Sequence, residues 1–490
     1  MGEWLVYGLY IVCVLFLFGY GLFLFHLAWI YRGVRRQQGE KPQTPDASEP
    51  YFPKVTIQLP IYNEESVVVR LLEKVLEIKY PQDKLDIQIL DDSTNECSQL
   101  IRRFLKNHPE RKNIAQLQRE DRKGFKAGAL KEGLQDAKGE FIAIFDADFL
   151  PESNFLTDLI PHFQREEIGM VQSKWGHINK QHSILTKIQA FGLDAHFTAE
   201  QRGRSEKDYF LSFNGTAGIW RKTCIEAAGG WSSDTLTEDL DLSIRAQLAG
   251  WKFLYIEDTE SPAELPITVS AYKSQQYRWN KGAAETHKKL YQELKSSKLK
   301  KTVKLHAMAQ LAKGMAFIAG FFITILSVPL LWIQIHNPTS LLILSIHFFS
   351  FVSLLFLVFF YFYSFRYGRK KDRSLLQFII AFFTFLFISM GTAFHNCMAV
   401  IEGYIGRKTP FIRTPKFNST GQGTPKSTVK SSFKWDGGME VLMAGYFIFG
   451  LYLAIQNDFY HYVPFHLILV FGYLYISFHS LGQFLSWKKS

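Results

Sequence analysis

Twenty-seven consecutive residues, Trp4 to Ile30, contain no Asp, Glu, Lys or Arg. About 20 predominantly apolar residues let a helix cross the hydrocarbon core of a bilayer, so this run commits the start of the chain to a membrane. A secretory leader would have a shorter apolar part with its basic residues in front; here Arg32, Arg35 and Arg36 come after it. Positive charge after the span places the next segment of chain on the cytosolic side. More apolar blocks lie at about 308–335, 341–365, 375–401, 441–455 and 463–487, and the stretch between the first span and these blocks reads as water-soluble. A purely soluble chain is excluded.

Composition narrows the class further. The 490 residues include 44 Phe, 22 Tyr and 10 Trp, too many for disorder or a low-complexity scaffold. The four cysteines, Cys13, Cys97, Cys224 and Cys397, are far apart, which argues against a disulfide framework or a zinc site. The net charge is +11. Residues 281–304 carry eight Lys against Glu285 and Glu293, a local balance of +6. A basic segment beside a span faces anionic lipid headgroups, and no aromatic–basic motif pairs with it to suggest nucleic acid.

Charge also orders the C-terminal blocks. The connector 366–373 and the stretch 402–434 are both basic and expected in the cytosol, whereas 334–340 and 456–462 carry no Lys or Arg. One crossing by 375–401 cannot satisfy both. We therefore read 375–405 as interfacial or re-entrant, with His395, Asn396 and Glu402 making its second half a poor lipid-facing span. That leaves about five spans plus interfacial helices.

Residues 54–262 alternate strand-like runs (54–60, 85–90 and 140–145) with helical patterns such as 64–78. This order predicts an α/β unit with a mostly parallel, Rossmann-like sheet. Asp91 and Asp92 close the second run, and Asp146 and Asp148 close the third. Ligands gather at the carboxyl ends of such strands, and carboxylates spaced i, i+2 suit a hard divalent cation carrying a diphosphate; turn chemistry is the bland alternative. The basic loop from Arg122 into 125–130 suits a phosphate, with Lys126 at its helical start. Glu238 and Asp239 begin an amphipathic helix behind Thr237. A cap and a helix dipole account for one acid there, not for three in five residues, so one carboxylate is a candidate general base. Residues 213–218 are small enough for a ligand to approach the backbone. Gln275, Arg278 and Trp279 pair a guanidinium, for pyrophosphate, with an indole, for a sugar face.

In order, LPIYNE (59–64), LDDS (90–93), KAGAL (126–130), DAD (146–148), TED (237–239) and Q-x-x-R-W (275–279) resemble the membrane-embedded processive family 2 glycosyltransferases. The closest look is to the cellulose-synthase-like group that includes mannan and glucomannan synthases. The resemblance implies a nucleotide-diphospho-sugar transferase fold. Tyr62, Glu64, Asp91, Asp92, Lys126, Asp146, Gln275 and Arg278 would bind the nucleotide sugar, and Asp146 and Asp148 would hold Mg²⁺ or Mn²⁺. Asp239, with Glu238, would be catalytic. Phe213, Asn214, Gly215, Thr216 and Trp279 would form the acceptor site. Phe411, Thr414 and Lys416 match a gating loop in which Arg413 replaces the usual valine.

The organisation expected is an N-terminal span (1–31), a linker (32–53), a cytosolic transferase domain (54–262) and an interfacial basic segment (263–306). A transmembrane hairpin (307–365), an interfacial helix with the gating loop (366–438) and a second hairpin (439–490) come next, with no regulatory domain appended after the last span. The function implied is an inverting, metal-dependent hexosyltransferase. It would use GDP-mannose or UDP-glucose to elongate a β-linked mannan- or glucan-type polysaccharide and translocate it. The alternative is a single addition to a lipid acceptor, giving a glycolipid; a non-catalytic scaffold or transporter is a third reading. Membrane lipids are expected partners, nucleic acid is not, and the sequence names no protein partner. The expected setting is a bacterial inner membrane, or the Golgi in a eukaryote.

Overall fold

The computed structural model describes residues 2–37, 51–337, 341–368, 374–409, 416 and 436–487. Most of the linker, and Phe411 and Thr414, lie outside these residues.

Seven strands form one sheet: β1 (Val55–Ile61), β2 (Leu85–Asp91), β3 (Ile114–Gln118), β4 (Phe141–Ile144), β5 (Ile168–His177), β6 (Gly218–Arg221) and β7 (Lys252–Ala263). Their order is β3-β2-β1-β4-β6-β5-β7. Neighbours pair in parallel except at β6, which runs against both β4 and β5. The mostly parallel sheet expected from strand–helix alternation therefore forms, with one reversed strand that the alternation does not reveal.

Successive strand residues point to opposite faces, and both faces here are covered. Phe141 and Ala143 pack on one side with Ile57, Ile89 and Leu71; Ile142 and Ile144 pack on the other with Met170, Trp220 and Leu242. All seven β1 residues are buried. That is why these strands read as continuous apolar runs rather than alternating ones. The helix anticipated over 64–78 spans Val68–Leu76 instead. Its start is delayed because the Glu64 carbonyl first closes a turn, accepting from the Val67 and Val68 amides.

One edge of this sheet gathers the strand ends that matter for ligand binding. The carboxyl ends of β1, β2, β4, β5 and β7 lie along it. Because β6 is reversed, its beginning lies there too, and with it the 213–217 loop. Sheet order turns about β1 and β4, the place where α/β folds bind ligands.

Among the described residues, five helices are long and apolar enough to span a membrane: Gly2–Arg36, Lys301–His336, Leu341–Tyr367, Gly438–Gln456 and Tyr460–Ser480. Their outer surfaces expose side chains that water would not tolerate, with Leu341 80% and Trp4 72% accessible. The chain is built as a multi-pass membrane protein. Residues 375–405 form two helices, Leu375–Gly391 and Ala393–Ile405, bent by 55°. The second is polar for a reason. His395, Asn396 and Glu402 are buried against the long helix Val269–Ser296, bonding the Lys273 carbonyl, the Asn280 amide and the Tyr277 hydroxyl respectively. Lys301 and Lys304 are also helical, so helical structure starts before the apolar block at 308.

Candidate active site

A cleft opens at this edge of the sheet, lined by side chains of both charges. Its geometry starts with β1 and β2. Tyr62 comes directly after β1, and the Arg122 guanidinium lies 3.3 Å over its ring. Asp92 comes directly after β2 and is gripped by Arg119 through two bonds, Nε to Oδ1 at 2.8 Å and Nη2 to Oδ2 at 2.5 Å. Asp91, its neighbour, points the other way. Its carboxylate accepts from Ser98 Oγ at 2.6 Å, Gln116 Nε2 at 2.7 Å and the Ser93 amide at 3.0 Å. Alternation along a strand sends adjacent residues to opposite faces, so Asp91, expected at the nucleotide, does not line the cleft and bonds the turn after β2 instead.

β4 delivers the next pair. Lys126, in the first turn of the helix Phe125–Asp136, donates to Asp146 Oδ1 at 2.6 Å and to the Gly215 carbonyl at 2.7 Å. Burial acts to lower its pKa, but Asp146, Glu238 and Asp239 outweigh burial and raise it. Asp148 is 1% accessible. Lys416 donates to its Oδ2 at 2.7 Å, and its buried Oδ1 has no hydrogen-bond partner among the described residues. Burial pushes the Asp148 carboxyl up, and Lys416 opposes that.

No cluster of three or more His, Cys, Asp or Glu suited to a metal occurs among the described residues. Two carboxylates at i, i+2 with an orphaned buried oxygen do fit a Mg²⁺ or Mn²⁺ ion that takes its other ligands from phosphates and water.

The remaining acids begin the helix Glu238–Leu248. Thr237 stands at the N-cap without a capping side-chain bond; its hydroxyl meets Thr286 instead. Burial and the Glu238 carboxylate push the Asp239 carboxyl well above the usual range, and burial raises Glu238 as well. Asp241, the third acid, is a structural residue paired with Arg245 at 2.6 Å and Lys289 at 2.8 Å. A Cβ added to Gly215 would fall 3.0 Å from Asp239 Oδ2 and 3.5 Å from Lys126 Nζ, and φ there is +81°. Only glycine fits that approach. Three of the five non-glycine residues with positive φ among the described residues, Asn63, Phe125 and Ala217, adjoin cleft or site residues already named.

The helix Val269–Ser296 brings Gln275, Arg278 and Trp279 to the cleft. Burial lowers the Arg278 pKa while Glu238, Asp146, Asp239 and Asp148 raise it, which shows how close the guanidinium lies to the acids. Asn214 and Gly215 line the cleft; Phe213 and Thr216 do not. Phe213 is 1% accessible, edge-on to Trp220 in the core, because the loop must anchor before it can present Asn214. Thr216 Oγ1 accepts from the Asp146 amide at 2.9 Å and so sets the height of that carboxylate. Glu64 is buried behind Tyr62 in the chain and is not part of the lining either.

Sequence reasoning passed over Arg119, Trp175, His177 and Glu264. Arg119 carried a signal, a cation shortly before the basic loop. The other three sit where β5 and β7 end, strands whose ends carry no acidic pair to mark them.

A family model described as glycosyltransferase like family 2 matches residues 53–282. Glucomannan 4-beta-mannosyltransferase 1 of Oryza sativa subsp. japonica is 34% identical over 422 residues, covering 80% of this chain and 75% of the relative. A probable glucomannan 4-beta-mannosyltransferase 4 from the same plant is 38% identical over 60% of this chain and 57% of its own length, and glucomannan 4-beta-mannosyltransferase 2 of Arabidopsis thaliana is 42% identical over 50% and 47%. The chain thus matches little more than half the length of several of these relatives. Among solved structures, a mannosyltransferase from Pyrobaculum calidifontis, in complex with GDP-Man and Mn2+, superposes with a TM-score of 0.53 at 18% identity, over 75% of this chain and all of that one. That likeness is one of fold.

Proposed function

This chain belongs to the glycosyltransferase 2 family, and from that premise we propose that it is an inverting membrane hexosyltransferase elongating a β-linked, mannan-type polysaccharide. The observation that carries the proposal is the Asp239 carboxyl. It stands in the cleft beside Gly215 and Lys126 with its pKa raised, close to the Asp146–Asp148 pair. A raised carboxylate is a competent base for a sugar hydroxyl.

In this mechanism Asp239 takes the proton as the acceptor oxygen forms its bond to the anomeric carbon. The bond from that carbon to the phosphate oxygen breaks, and the nucleoside diphosphate leaves with the electron pair. Arg278 and Lys126 stabilise the charge that develops on it. Tyr62, Arg122 and Asp92 surround the nucleotide, while Gln275 and Trp279 orient the acceptor. Asp146 and Asp148 would hold Mg²⁺ or Mn²⁺, which when bound would neutralise charge on the diphosphate. The product anomer is β from an α-linked donor. The names of the relatives favour GDP-mannose over UDP-glucose as donor. The cleft faces the cytosol, since the basic residues 32–36 come after the first span. A gating role for the loop bearing Phe411, Thr414 and Lys416 is supported by the reach of Lys416 to Asp148.

A donor screen tests the proposal. The protein in lipid nanodiscs receives radiolabelled GDP-mannose, UDP-glucose or UDP-N-acetylglucosamine with Mg²⁺ or Mn²⁺. Label from GDP-mannose in a polymer that β-mannanase degrades is the expected result. Label that partitions into solvent as a single-sugar lipid replaces this reading with the glycolipid one.

A further inference from the structure

The nucleotide, metal and base groups leave part of the cleft wall unassigned. Five lining residues keep a buried polar side-chain atom without a hydrogen-bond partner among the described residues: Arg122 Nε, Asp148 Oδ1, Trp175 Nε1, His177 Nε2 and Asn214 Nδ2. Buried polar atoms in native proteins are nearly always paired, so such atoms facing a cleft mark where a ligand completes them. Trp220 and Trp231 also have unpaired indole nitrogens, but they sit in the sheet core where no ligand reaches. Arg122 belongs with Tyr62, and Asp148 with the metal. The other three form a patch of their own.

That patch is continuous. Trp175 and His177 are two apart at the end of β5 and share a face. The Trp175 ring centroid lies 5.0 Å from that of Phe197, whose neighbour His196 places Nε2 3.1 Å from Asn214 Oδ1. The Asn214 amide N–H donates to Gln172 Oε1, three residues before Trp175. Carboxylates back both imidazoles: His177 Nε2 is 3.3 Å from Asp194 Oδ1, and His196 Nδ1 is 2.8 Å from Glu200 Oε2. One end of the Asn214 amide is therefore engaged by His196, whichever way the amide is turned, and the other end remains available.

We propose that Trp175 and His177, with Asn214, form a hydroxyl-reading subsite for a sugar ring of the acceptor. An indole N–H, an imidazole and an amide on one wall match the vicinal hydroxyls of a pyranose, each of which both donates and accepts. The wall adjoins the reacting centre, because Asn214 precedes Gly215, where a side chain would press on Asp239. The subsite rests on the glycosyltransferase reading and extends it from Asn214, already expected at the acceptor, to Trp175 and His177, which no motif marks. They are binding residues, and their loss weakens acceptor capture rather than the chemical step.

The test uses the full chain in nanodiscs with GDP and Mn²⁺ present. Binding of β-1,4-linked mannohexaose is measured by calorimetry for the wild type, Trp175→Phe and Asn214→Ala, and GDP-mannose affinity is measured in parallel. Trp175→Phe keeps the ring and deletes only the N–H. The donor measurement shows that each variant is folded. A loss of roughly 3- to 10-fold in oligosaccharide affinity is expected for each variant, the range of one neutral hydrogen bond, with donor affinity unchanged. Unchanged oligosaccharide affinity in both variants overturns the subsite. Weakened donor binding with unchanged oligosaccharide binding overturns it by assigning the wall to the donor hexose. If the wild type binds GDP-mannose but no oligosaccharide, the subsite and the polymer reading fall together. If it binds oligosaccharide but no nucleotide sugar, the transferase reading fails by itself.

Discussion

Asp239 and Glu238 begin one helix and stand half-buried side by side, and desolvation together with the Glu238 carboxylate raises the cost of ionising Asp239. A carboxyl whose pKa is raised on folding binds more protons in the folded state than in the unfolded one. Stability therefore falls as pH climbs from the ordinary carboxylate range towards the raised value. Asp194, Glu200 and Asp234 are shifted the other way and act only below that range, so they do not mask the effect. The rate has the opposite sign, because the base works only when deprotonated. kcat/KM should rise with pH through the same window in which the wild type loses thermal stability relative to Asp239→Asn. Asp239→Asn itself should lose roughly 10²–10⁴-fold in kcat, the usual worth of a positioned base. An activity assay beside thermal unfolding across pH checks both halves, and a substitution that kept more than a few per cent of activity would remove Asp239 as base. Lys416 supplies a second prediction. Its ammonium neutralises Asp148, so Lys416→Ala should bind Mn²⁺ more tightly in the absence of donor, as read by electron paramagnetic resonance of the free ion. Weaker or unchanged Mn²⁺ binding would mean that the lysine does not compete for that carboxylate.

Two helices meet where the acids begin, and a single glycine sets their distance. A Cβ added at Gly282, on the helix that carries Gln275, Arg278 and Trp279, would lie 2.6 Å from Thr237 Cγ2 and 2.9 Å from the Thr237 amide nitrogen. No rotamer of Thr237 relieves a contact with its own backbone. Gly282→Ala must therefore displace the N-terminus of the acid helix, at a cost of about 1–3 kcal/mol for overpacking. kcat should fall while nucleotide affinity holds, since Tyr62, Asp92 and Arg122 ride on other elements. An unchanged kcat would show that the position of the acid helix is not critical. The same long helix is fastened on its other side, where Lys281 Nζ donates to Thr409 Oγ1 at 2.7 Å. Arg407 and Glu402 pair at 2.8 Å beside it. This helix thus contacts the cleft on one side and the bent segment 375–405 on the other.

At the scale of the whole molecule, polar contacts join the sheet domain and its helix to the spans, and several of them are buried. Lys273 Nζ lies 2.5 Å from Glu440 Oε1, with the two side chains 6% and 4% accessible. Glu440 falls just inside the fourth apolar helix, and a lone carboxylate there would be costly. Arg35, at the end of the first helix, pairs with Glu257 on β7. Removing one partner of a buried pair takes away much of what compensates the other charge. Lys273→Met should destabilise the protein by about 3–5 kcal/mol, and Lys273→Met with Glu440→Leu should recover most of that loss. Thermal unfolding in nanodiscs reads both. A double variant as unstable as the single one would mean that the pair holds the helices in register and does more than neutralise its own charges.

Much of this organisation is local and was open to sequence. The spans come from uncharged runs, the sheet class from alternating strands and helices, and the edge that binds ligand from acids placed at strand ends. These are properties of neighbouring residues, because periodicity and chain direction decide them. What sequence leaves undecided is which of two adjacent residues faces the cleft. Asp91 and Asp92 are chemically alike, and only the register of β2 turns one to the core and the other to Arg119. Sequence is equally blind to partners brought from afar. Lys416 reaches Asp148 across 268 positions, and Trp175 and His177 gain their meaning only when β6 reverses and carries Asn214 to the end of β5. Packing alone makes those choices, since the free energy of a contact depends on what surrounds it in space, and one chain read in order records only what surrounds it in line.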